Sequence, residues 1–362
     1  METKERHFFA GGNTAKGFRH FYASILQGMD PLFILTGGQG AGTSEIIQSV
    51  GNAALARGLA VEWMHTPLNR ERFDGVLIPA LNMGVVDGSA PYSYEPLAPG
   101  VIEKTIHAEN AWDQAGLTAR KEEIVQLSKS VSECRKQATQ SFAQALQIHD
   151  EWEHIYISNM NMEAAGRVTR EMIQLLLGEG TRNKSARVRH QYFGAATCVG
   201  AVDYIQDLTK TIEKRYFIKG RPGSGKSTML KKIAAASEQK GYDTEIFHCG
   251  FDPNSLDMVL IPERNVCIFD STAPHEYFPS REGDEIVDMY ERTIVPQTDE
   301  RFARDLKEIK ARYSAKMGEA TRWLGKANGH QEQLLAIYRS ATDPEIPKGI
   351  TEQLIQAMEK LM

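Results

Sequence analysis

An internal duplication constrains this chain more than any other feature. Shifting the 362-residue sequence against itself by 183 positions aligns His7 with His190, and the match continues without a gap for about 94 positions. The segment VLIP, for example, occurs at 76–79 and again at 259–262. The aligned stretch holds roughly two dozen identities where chance gives about six, which indicates a repeat architecture. Two copies of about 180 residues therefore make up nearly the whole chain.

Both copies show the same order of predicted elements. A β-rich run, at 32–36 or at 215–219, leads into a glycine-rich loop, and a helix-compatible stretch follows the loop. Further strands are predicted downstream, in the second copy at 244–248 and 265–270. Strands that alternate with helices are typical of a mostly parallel sheet with helices on its faces.

A long helical segment follows each α/β part. At 124–155 and 306–337, apolar or small residues recur in steps of three and four, which predicts the packing face of a long helix. We expect this face to pack within the molecule, and the alternative is a surface for a protein partner. Pro344 and Pro347 are expected to close the second long helix, and a final amphipathic helix follows.

The second copy carries a phosphate-loop motif. GRPGSGKST at 220–228 satisfies G-x-x-x-x-G-K-[ST] in full, between a predicted strand and a predicted helix. Glycines allow backbone N–H groups to converge on phosphate oxygens, and the helix directs its positive end at them. The lysine places a charge between the outer phosphates. The predicted nucleotide-binding residues are Gly220, Arg221, Pro222, Gly223, Ser224, Gly225, Lys226, Ser227 and Thr228.

A magnesium ion is expected beside this loop. The hydroxyl of Ser227 can ligate Mg²⁺, and Asp270 ends a buried apolar strand, where a carboxylate can hold the metal. The alternative for Asp270 is a turn or a helix cap, since Ser271, Thr272 and Pro274 follow it. No glutamate follows Asp270 directly, so the water-activating residue of many ATPases is missing there. No N-K-x-D guanine-reading motif is visible, so ATP is favoured over GTP by default.

The first copy departs from the motif at the lysine position. GGQGAGTSE at 37–45 keeps three glycines and Ser44, but Thr43 stands where the second copy has lysine. A neutral hydroxyl does not replace an ammonium between two phosphates, although the loop backbone can still hold an anion. Asp87 persists, so half of the metal site remains. We therefore predict a degenerate first site with a structural or regulatory role, and the alternative is a lysine donated from elsewhere.

A second group of candidate residues lies beyond the strand predicted at 244–248. Ligands of open α/β sheets collect beyond the carboxyl ends of strands, where this segment is expected. His248 or Asp252 is a candidate to accept a proton from an acceptor hydroxyl or to position a water, and a turn role is the alternative for each. His275, whose first-copy counterpart is Tyr92, is a candidate γ-phosphate sensor. Together with the loop lysine, these residues form the predicted catalytic set.

Three segments of the second copy resemble a known group of proteins. HCGFDPNSLDMVLIP at 248–262, DSTAPH at 270–275 and the later Gly283 are similar to a functionally uncharacterised group of tandem-repeat bacterial P-loop ATPases. The resemblance covers the full chain, because the duplication and the paired helical segments belong to that pattern. It implies a P-loop NTPase fold and ATP binding at the loop and at Asp270, and it implies no particular substrate.

These observations together predict the fold class and the domains. We expect an α/β fold of two tandem P-loop NTPase-like repeats with parallel sheets, each followed by long helical segments. Residues 1–182 form the degenerate repeat and residues 183–362 the repeat with the intact motif.

Composition and charge restrict the partners. A net charge of −5 gives no general drive toward nucleic acid, and no apolar run approaches the ~18 residues of a membrane span. The N-terminus has no apolar stretch typical of a secretory signal, so we expect a soluble, cytoplasmic protein. Four cysteines lie far apart without zinc-type spacing: Cys134, Cys198, Cys249 and Cys267.

The leading functional hypothesis is an Mg-ATP-binding P-loop NTPase that hydrolyses ATP mainly through the C-terminal repeat. One alternative is a kinase for a small molecule or nucleotide, in which Asp252 or His248 activates an acceptor hydroxyl. The other is a nucleotide-gated scaffold with negligible turnover. The partner besides nucleotide, a small molecule or a protein, is left open by the sequence.

Overall fold

The structure is a computed structural model that describes residues 4–89, 94 and 96–362. Tyr92, the first-copy counterpart of His275, lies outside the described residues. The first-copy strands are β1 (Glu5–Phe8), β2 (Gly11–Thr14), β3 (Gly17–His20), β4 (Leu32–Thr36), β5 (Val61–His65), β6 (Phe73–Ile78), β7 (Met83–Asp87) and β8 (Glu103–His107). The helices that follow or interrupt them are α1 (Tyr22–Ile25), α2 (Thr43–Ala56), α3 (Gln114–Ala119), α4 (Lys121–Ile157) and α5 (Met162–Leu177).

The second copy repeats this order of elements with one further short α-helix. Its strands are β9 (Val188–Gln191), β10 (Gly194–Thr197), β11 (Gly200–Asp203), β12 (Lys214–Lys219), β13 (Thr244–His248), β14 (Leu256–Ile261), β15 (Val266–Asp270) and β16 (Asp284–Asp288). Its helices are α6 (Ile205–Leu208), α7 (Lys226–Gln239), α8 (Met289–Thr293), α9 (Thr298–Arg301), α10 (Ala303–Ser340) and α11 (Glu345–Glu359). The strands predicted at the starts of the loops and downstream of them are confirmed.

Each copy builds a six-stranded mixed sheet of the same topology. The strand order is β1-β5-β6-β7-β4-β8 in the first sheet and β9-β13-β14-β15-β12-β16 in the second. Strands β6 and β14 end with the first three residues of the VLIP segments. They run antiparallel to both of their neighbours in the sheet, and the other pairs of these two sheets are parallel. The prediction of parallel sheets is therefore wrong for these two strands. The links before them, 66–72 and 249–255, are shorter than the roughly dozen residues that a parallel crossover needs, so the chain turns back.

The two long helices pack against each other. Their contact is formed largely by small or apolar side chains that are almost fully buried, among them Ala138 and Phe142 of α4 and Ala320 and Leu324 of α10. This confirms the expected packing of the helical stripe within the molecule. Helix α10 ends at Ser340, before both prolines, whereas Pro347 lies in the first turn of α11 and does not close α10.

The last helix of each copy covers the sheet of the other copy. Helix α5 inserts Val168, Met172 and Leu176 into the core formed by the second sheet and α7. Helix α11 inserts Ile350 and Leu354 into the core formed by the first sheet and α2. The two α/β units therefore share their hydrophobic cores by exchanging a helix.

Candidate functional site

The glycine-rich loop of the second copy joins β12 to α7 through left-handed backbone. Gly223 and Gly225 have φ angles of +76° and +86°, which side chains with a Cβ rarely adopt. Helix α7 begins at Lys226, directly after the loop, so its unpaired N–H groups and the positive end of its dipole face the loop. This is the backbone arrangement of an anion-binding site.

Lys226 and Asp270 meet beside this loop. The lysine is buried, its Nζ donates to the Arg221 carbonyl oxygen at 2.9 Å, and it lies 3.6 Å from Asp270 Oδ2. Asp270 is the last residue of β15, so the end of the strand carries its carboxylate to the lysine. Its Oδ1 accepts from the N–H and hydroxyl of Thr272, at 3.1 and 2.7 Å. The carboxylate therefore caps a turn with one oxygen and faces the loop with the other.

The remaining loop residues hold the loop in shape. The Ser227 hydroxyl oxygen accepts from the Leu256 N–H at 3.0 Å, and its second lone pair is left for a metal. The Ser224 hydroxyl donates to the Arg221 carbonyl at 2.7 Å and closes a turn inside the loop. Thr228 is exposed on α7.

Two further groups, the buried Asp257 and the half-buried Cys249, lie near one another on the second copy. Burial, and next the Asp270 carboxylate, raise the pKa of Asp257, which favours the protonated form of this carboxyl group. Desolvation, and next Asp257, raise the pKa of the Cys249 thiol well above its ordinary value. The thiol is therefore protonated at neutral pH, which excludes it as a thiolate nucleophile under those conditions.

His248, a predicted proton acceptor, has both ring nitrogens engaged. Its Nδ1 lies 2.8 Å from the Pro253 carbonyl oxygen and its Nε2 lies 2.9 Å from His190 Nδ1. Because a carbonyl can only accept, His248 Nδ1 carries the proton and His190 donates to Nε2. Desolvation lowers the pKa of His248 to about 4. His248 is thus a neutral structural histidine with no free nitrogen for a substrate.

Asp252 and His275 each have a protein partner of their own. Asp252 Oδ1 accepts from the Asn254 N–H at 3.2 Å and lies 3.3 Å from Lys16 Nζ of the first copy. His275 Nδ1 lies 2.8 Å from Asp203 Oδ2, which holds the ring beside β11. These contacts are those of an Asx turn and of a histidine hydrogen-bonded to a carboxylate, and the predicted catalytic roles of both residues stay predictions.

Helix α4, which follows the first sheet in sequence, covers the loop of the second copy. A Cβ placed on Gly223 would lie 2.5 Å from the carbonyl oxygen of Glu153, so only glycine lets the loop approach the helix this closely. The carboxylate oxygen Oε1 of Glu153 lies 3.8 Å from Nδ1 of His149, one turn earlier in the helix. Glu153, His149 and Asp150 offer ligand atoms that all lie within 4.8 Å of one another.

Burial is the main cause of the pKa shifts of Glu153 and His149, two side chains of α4 near the loop. Desolvation, and next the charge of Asp150, raise the pKa of Glu153. Desolvation, and next the charge of Lys226, lower the pKa of His149, so its imidazole is neutral at pH 7. The sequence did not predict that helix α4 covers the second loop at Glu153. The apolar spacing at 124–155 predicted that the helix packs within the molecule, but it does not indicate which loop the helix contacts.

A chain of hydrogen bonds fixes α4 over the loop. The fully buried Tyr156 donates its hydroxyl to Asp299 Oδ1 at 2.6 Å. The other oxygen of Asp299 accepts from Arg221 of the loop at 2.9 and 3.1 Å, and the Arg221 guanidinium lies 5.0 Å from the Tyr290 ring centre. Because Tyr156 is one turn beyond Glu153, this chain also sets the position of Glu153.

The first-copy loop has different partners. Thr43, in the lysine position, donates its hydroxyl to Asp87 Oδ2 at 2.7 Å, while Asp87 Oδ1 accepts from the Ser89 N–H at 2.8 Å. Burial raises the pKa of Asp87. In the first copy, this hydrogen bond between the hydroxyl of Thr43 and the carboxyl group of Asp87 stands where the second copy has the ion pair of Lys226 and Asp270. Thr43 therefore brings no positive charge to Asp87.

A cavity of about 230 Å³ opens beside this first loop, lined by Gly37, Gly38, Gly40, Asp87 and residues of α10. Its cationic lining comes from Arg72 and Arg135, and no lysine is among the described residues that line it. Arg72 is already paired with Glu332, at 2.8 Å. The alternative of a lysine donated to the first loop is therefore not supported by these lining residues.

No family model, curated protein or solved structure matches this chain. In the part of the chain that the structure describes, no helix combines the length and apolarity needed to cross a membrane.

Proposed function

We propose that the chain is an Mg-ATP-binding P-loop NTPase whose working site is the loop of the second copy, and that it hydrolyses ATP. The observation that carries the proposal is the buried ammonium of Lys226 at the start of α7, 3.6 Å from the carboxylate that ends β15. A lysine and an aspartate at these places are the groups that bind outer phosphates and their metal in P-loop proteins. The resemblance to tandem-repeat P-loop ATPases points the same way.

The residues beside the loop fit a magnesium ion. Mg²⁺ takes oxygen ligands and keeps several waters, so one hydroxyl and one carboxylate suffice beside the phosphates. Ser227 and Asp270 would supply them, and the ion would neutralise charge on the β- and γ-phosphates. The chain's own part is to orient the phosphates through the loop backbone and to hold Lys226 between them.

The first copy would bind nucleotide weakly or not at all. Thr43 has no charge to offer the phosphates, and its hydroxyl is already bonded to Asp87. The cavity beside that loop has a mixed polar and apolar lining that includes Arg72 and Arg135, and it can hold a small anion or water without being a second ATP site.

Calorimetric titration with Mg-ATP tests the proposal. Lys226→Ala should abolish tight binding, because it removes the only lysine of the loop. Lys231→Ala is the matched control, since Lys231 is an exposed residue of the same helix. Tight ATP binding that survives Lys226→Ala in a folded protein would refute the assignment of this site.

A further inference from the structure

The cavity beside the first-copy loop lies where the loop and the two long helices meet. The loop borders it at Gly37, Gly38 and Gly40, and the helices border it through Arg135 of α4 and residues between 328 and 338 of α10. Its volume is about 230 Å³. A cavity of about 150 Å³ holds benzene, whereas sites for drug-sized ligands span roughly 300–1,000 Å³. The space therefore suits a small molecule rather than a whole nucleotide.

One positive charge of this cavity has no partner in the described part of the chain. The charged residues that line the cavity are Arg72, Arg135, Asp87 and Glu332. Arg72 donates to both oxygens of Glu332, at 2.8 and 3.1 Å, so these two charges neutralise each other. Asp87 accepts the Thr43 hydroxyl, and burial raises its pKa, which favours the uncharged form. The side chain of Arg135 makes no hydrogen bond or ion pair with another described residue, so it leaves the lining with a net positive charge.

Two buried donors of the lining residues lack acceptors. Nε of Arg135 and Nε1 of Trp112 are buried, and neither has a hydrogen-bond partner in the described part of the chain. Both residues line the cavity. Because buried polar groups are nearly always hydrogen-bonded, unpaired donors beside a cavity indicate an occupant that accepts hydrogen bonds. The Trp112 ring lies 4.8 Å from the Tyr338 ring, and Leu334 and Leu335 add apolar surface to the same lining.

The duplication shows that the arginine and the indole belong to the first copy alone. At the offset of 182, Arg135 corresponds to Met317 and Trp112 to Ile294. Trp112 and Ile294 each form an isolated β-bridge to the segment just after the long helix of the other copy, so the alignment holds in the structure. The copy without the loop lysine thus has an arginine and an indole donor where the lysine-bearing copy has apolar side chains.

We propose that this cavity is a binding site for a small organic anion, separate from the nucleotide site of the second loop. Arg135 holds the single carboxylate or phosphate group of the ligand, since a guanidinium matches both groups with two parallel hydrogen bonds. Trp112 donates its indole N–H to the ligand, and Leu334 and Leu335 pack against the ligand's apolar part. The glycine loop adds backbone N–H groups of the kind that bind anions.

Calorimetric titration of the full-length protein with three small probes tests the chemistry of the site. Benzoate and phenyl phosphate each carry an anionic group on an apolar ring, and benzamide is the neutral counterpart of benzoate. At least one of the two anions should bind, and comparing them distinguishes a carboxylate site from a phosphate site. Benzamide should bind at least ~10-fold more weakly than benzoate at a carboxylate site, because it forms no charge-assisted hydrogen bond. Inorganic phosphate should bind more weakly than phenyl phosphate at a phosphate site, because it has no apolar part.

Three substitutions assign the binding to this cavity. Arg135→Gln should weaken anion binding by roughly 10-fold or more. Lys129→Gln removes a positive charge at an exposed position of the same helix and should match wild type. Arg135 also lines a neighbouring cavity of about 170 Å³, whereas Trp112 lines only the first-copy cavity. Trp112→Phe should therefore weaken binding and remove the change in tryptophan fluorescence that the bound anion causes in wild type.

Several results would overturn the proposal. Wild type that binds neither anion at millimolar concentration would show a cavity filled by water alone. Equal affinity for benzoate and benzamide, or full anion affinity in Arg135→Gln, would refute the role of the arginine. Inorganic phosphate that binds as tightly as the organic anions would show a site for a bare anion, and unchanged binding by Trp112→Phe would place the ligand outside this cavity. None of these measurements involves ATP, so failure of the proposed function would leave this inference intact.

Discussion

Phe9 and Tyr192, which occupy equivalent positions in the two copies, exchange two backbone hydrogen bonds of 3.0 Å each. In a two-fold symmetric dimer, a residue that contacts its own counterpart lies on the symmetry axis. A pseudo-two-fold axis therefore passes between these two residues, and the chain is built like a dimer joined into one polypeptide.

A cluster of charges lies beside this axis. Arg6 donates to Glu245 of the other copy at 2.7 and 3.0 Å and to Glu62 at 3.1 Å. Its counterpart Arg189 donates to Glu62 at 2.6 Å. One arginine and one glutamate from each copy thus neutralise one another at the interface. These charge-assisted hydrogen bonds fix the orientation of the two sheets relative to each other.

The exchange of helices predicts that the halves depend on each other. Residues 1–182 expressed alone should be unstable, because the first core then lacks Ile350, Leu354 and Met358. Residues 183–362 should likewise be unstable without α5. Co-expressed halves should associate and recover the native far-ultraviolet circular dichroism and a cooperative thermal transition. A stable, cooperative 183–362 fragment would contradict the exchange.

Buried Asp74 should make stability fall as the pH rises. It accepts hydrogen bonds from the Thr66 and Tyr22 hydroxyls, and burial raises its pKa from 3.8 to about 8. The folded protein thus holds a proton that the unfolded chain loses above about pH 4, so the free energy of unfolding declines from about pH 4 to about pH 8. Asp74→Asn should flatten this decline and be more stable than wild type at pH 8.5.

Urea unfolding at pH 5 and pH 8.5 measures this effect. Asp305→Asn, at an exposed aspartate of α10, is the control and should keep the wild-type pH dependence. An equal decline in Asp74→Asn and wild type would show that Asp74 is ionised in the folded protein at both pH values.

The ion pair of Arg215 and Asp284 should be the costliest charge pair to break. Both side chains are buried, at 3% and 0% exposure, and the guanidinium donates two bonds of 2.6 and 2.7 Å. Asp284→Ala leaves the arginine buried without its partner, which costs roughly 3–5 kcal/mol in the free energy of unfolding. Glu151→Ala, which breaks an exposed pair with Arg312, should change it little. Equal effects of the two substitutions would contradict this ranking.

Local patterns predicted the parts of the molecule that depend on local chemistry. The strand–loop–helix order around Lys226 and the long helices followed from turn residues and hydrophobic spacing. The antiparallel orientation of β6 and β14 was not predicted. The pattern of a buried apolar segment such as VLIP does not show whether the strand runs parallel or antiparallel to its neighbours.

The candidate site was predictable only in part, because contacts between segments that are distant in the sequence leave no local pattern. Lys226 lies in the loop motif and Asp270 ends a separately predicted strand, and the two side chains meet beside the loop. Glu153 reaches the loop through helix packing across the pseudo-two-fold axis, at a sequence distance that no motif spans. The engagement of both ring nitrogens of His248 was not predictable, because its bond to His190 depends on which strands pair.

The metal side of the site gives a separate prediction. Asp270→Asn should remove most of the gain in ATP affinity that Mg²⁺ provides, because an amide is a weaker magnesium ligand than a carboxylate. ATP affinity in excess chelator should not fall, since Lys226 then has no competing carboxylate. Isothermal titrations with Mg²⁺ and with EDTA measure both values, and an unchanged Mg²⁺ dependence would refute the role of Asp270.

The most direct test of the account is the number of Mg-ATP molecules that one intact chain binds. Calorimetric titration of the full-length protein should give one tight site per chain, which Lys226→Ala abolishes and Thr43→Ala leaves in place. Two equally tight sites per chain, or one site that Thr43→Ala abolishes and Lys226→Ala does not, would contradict the assignment of function to the second loop.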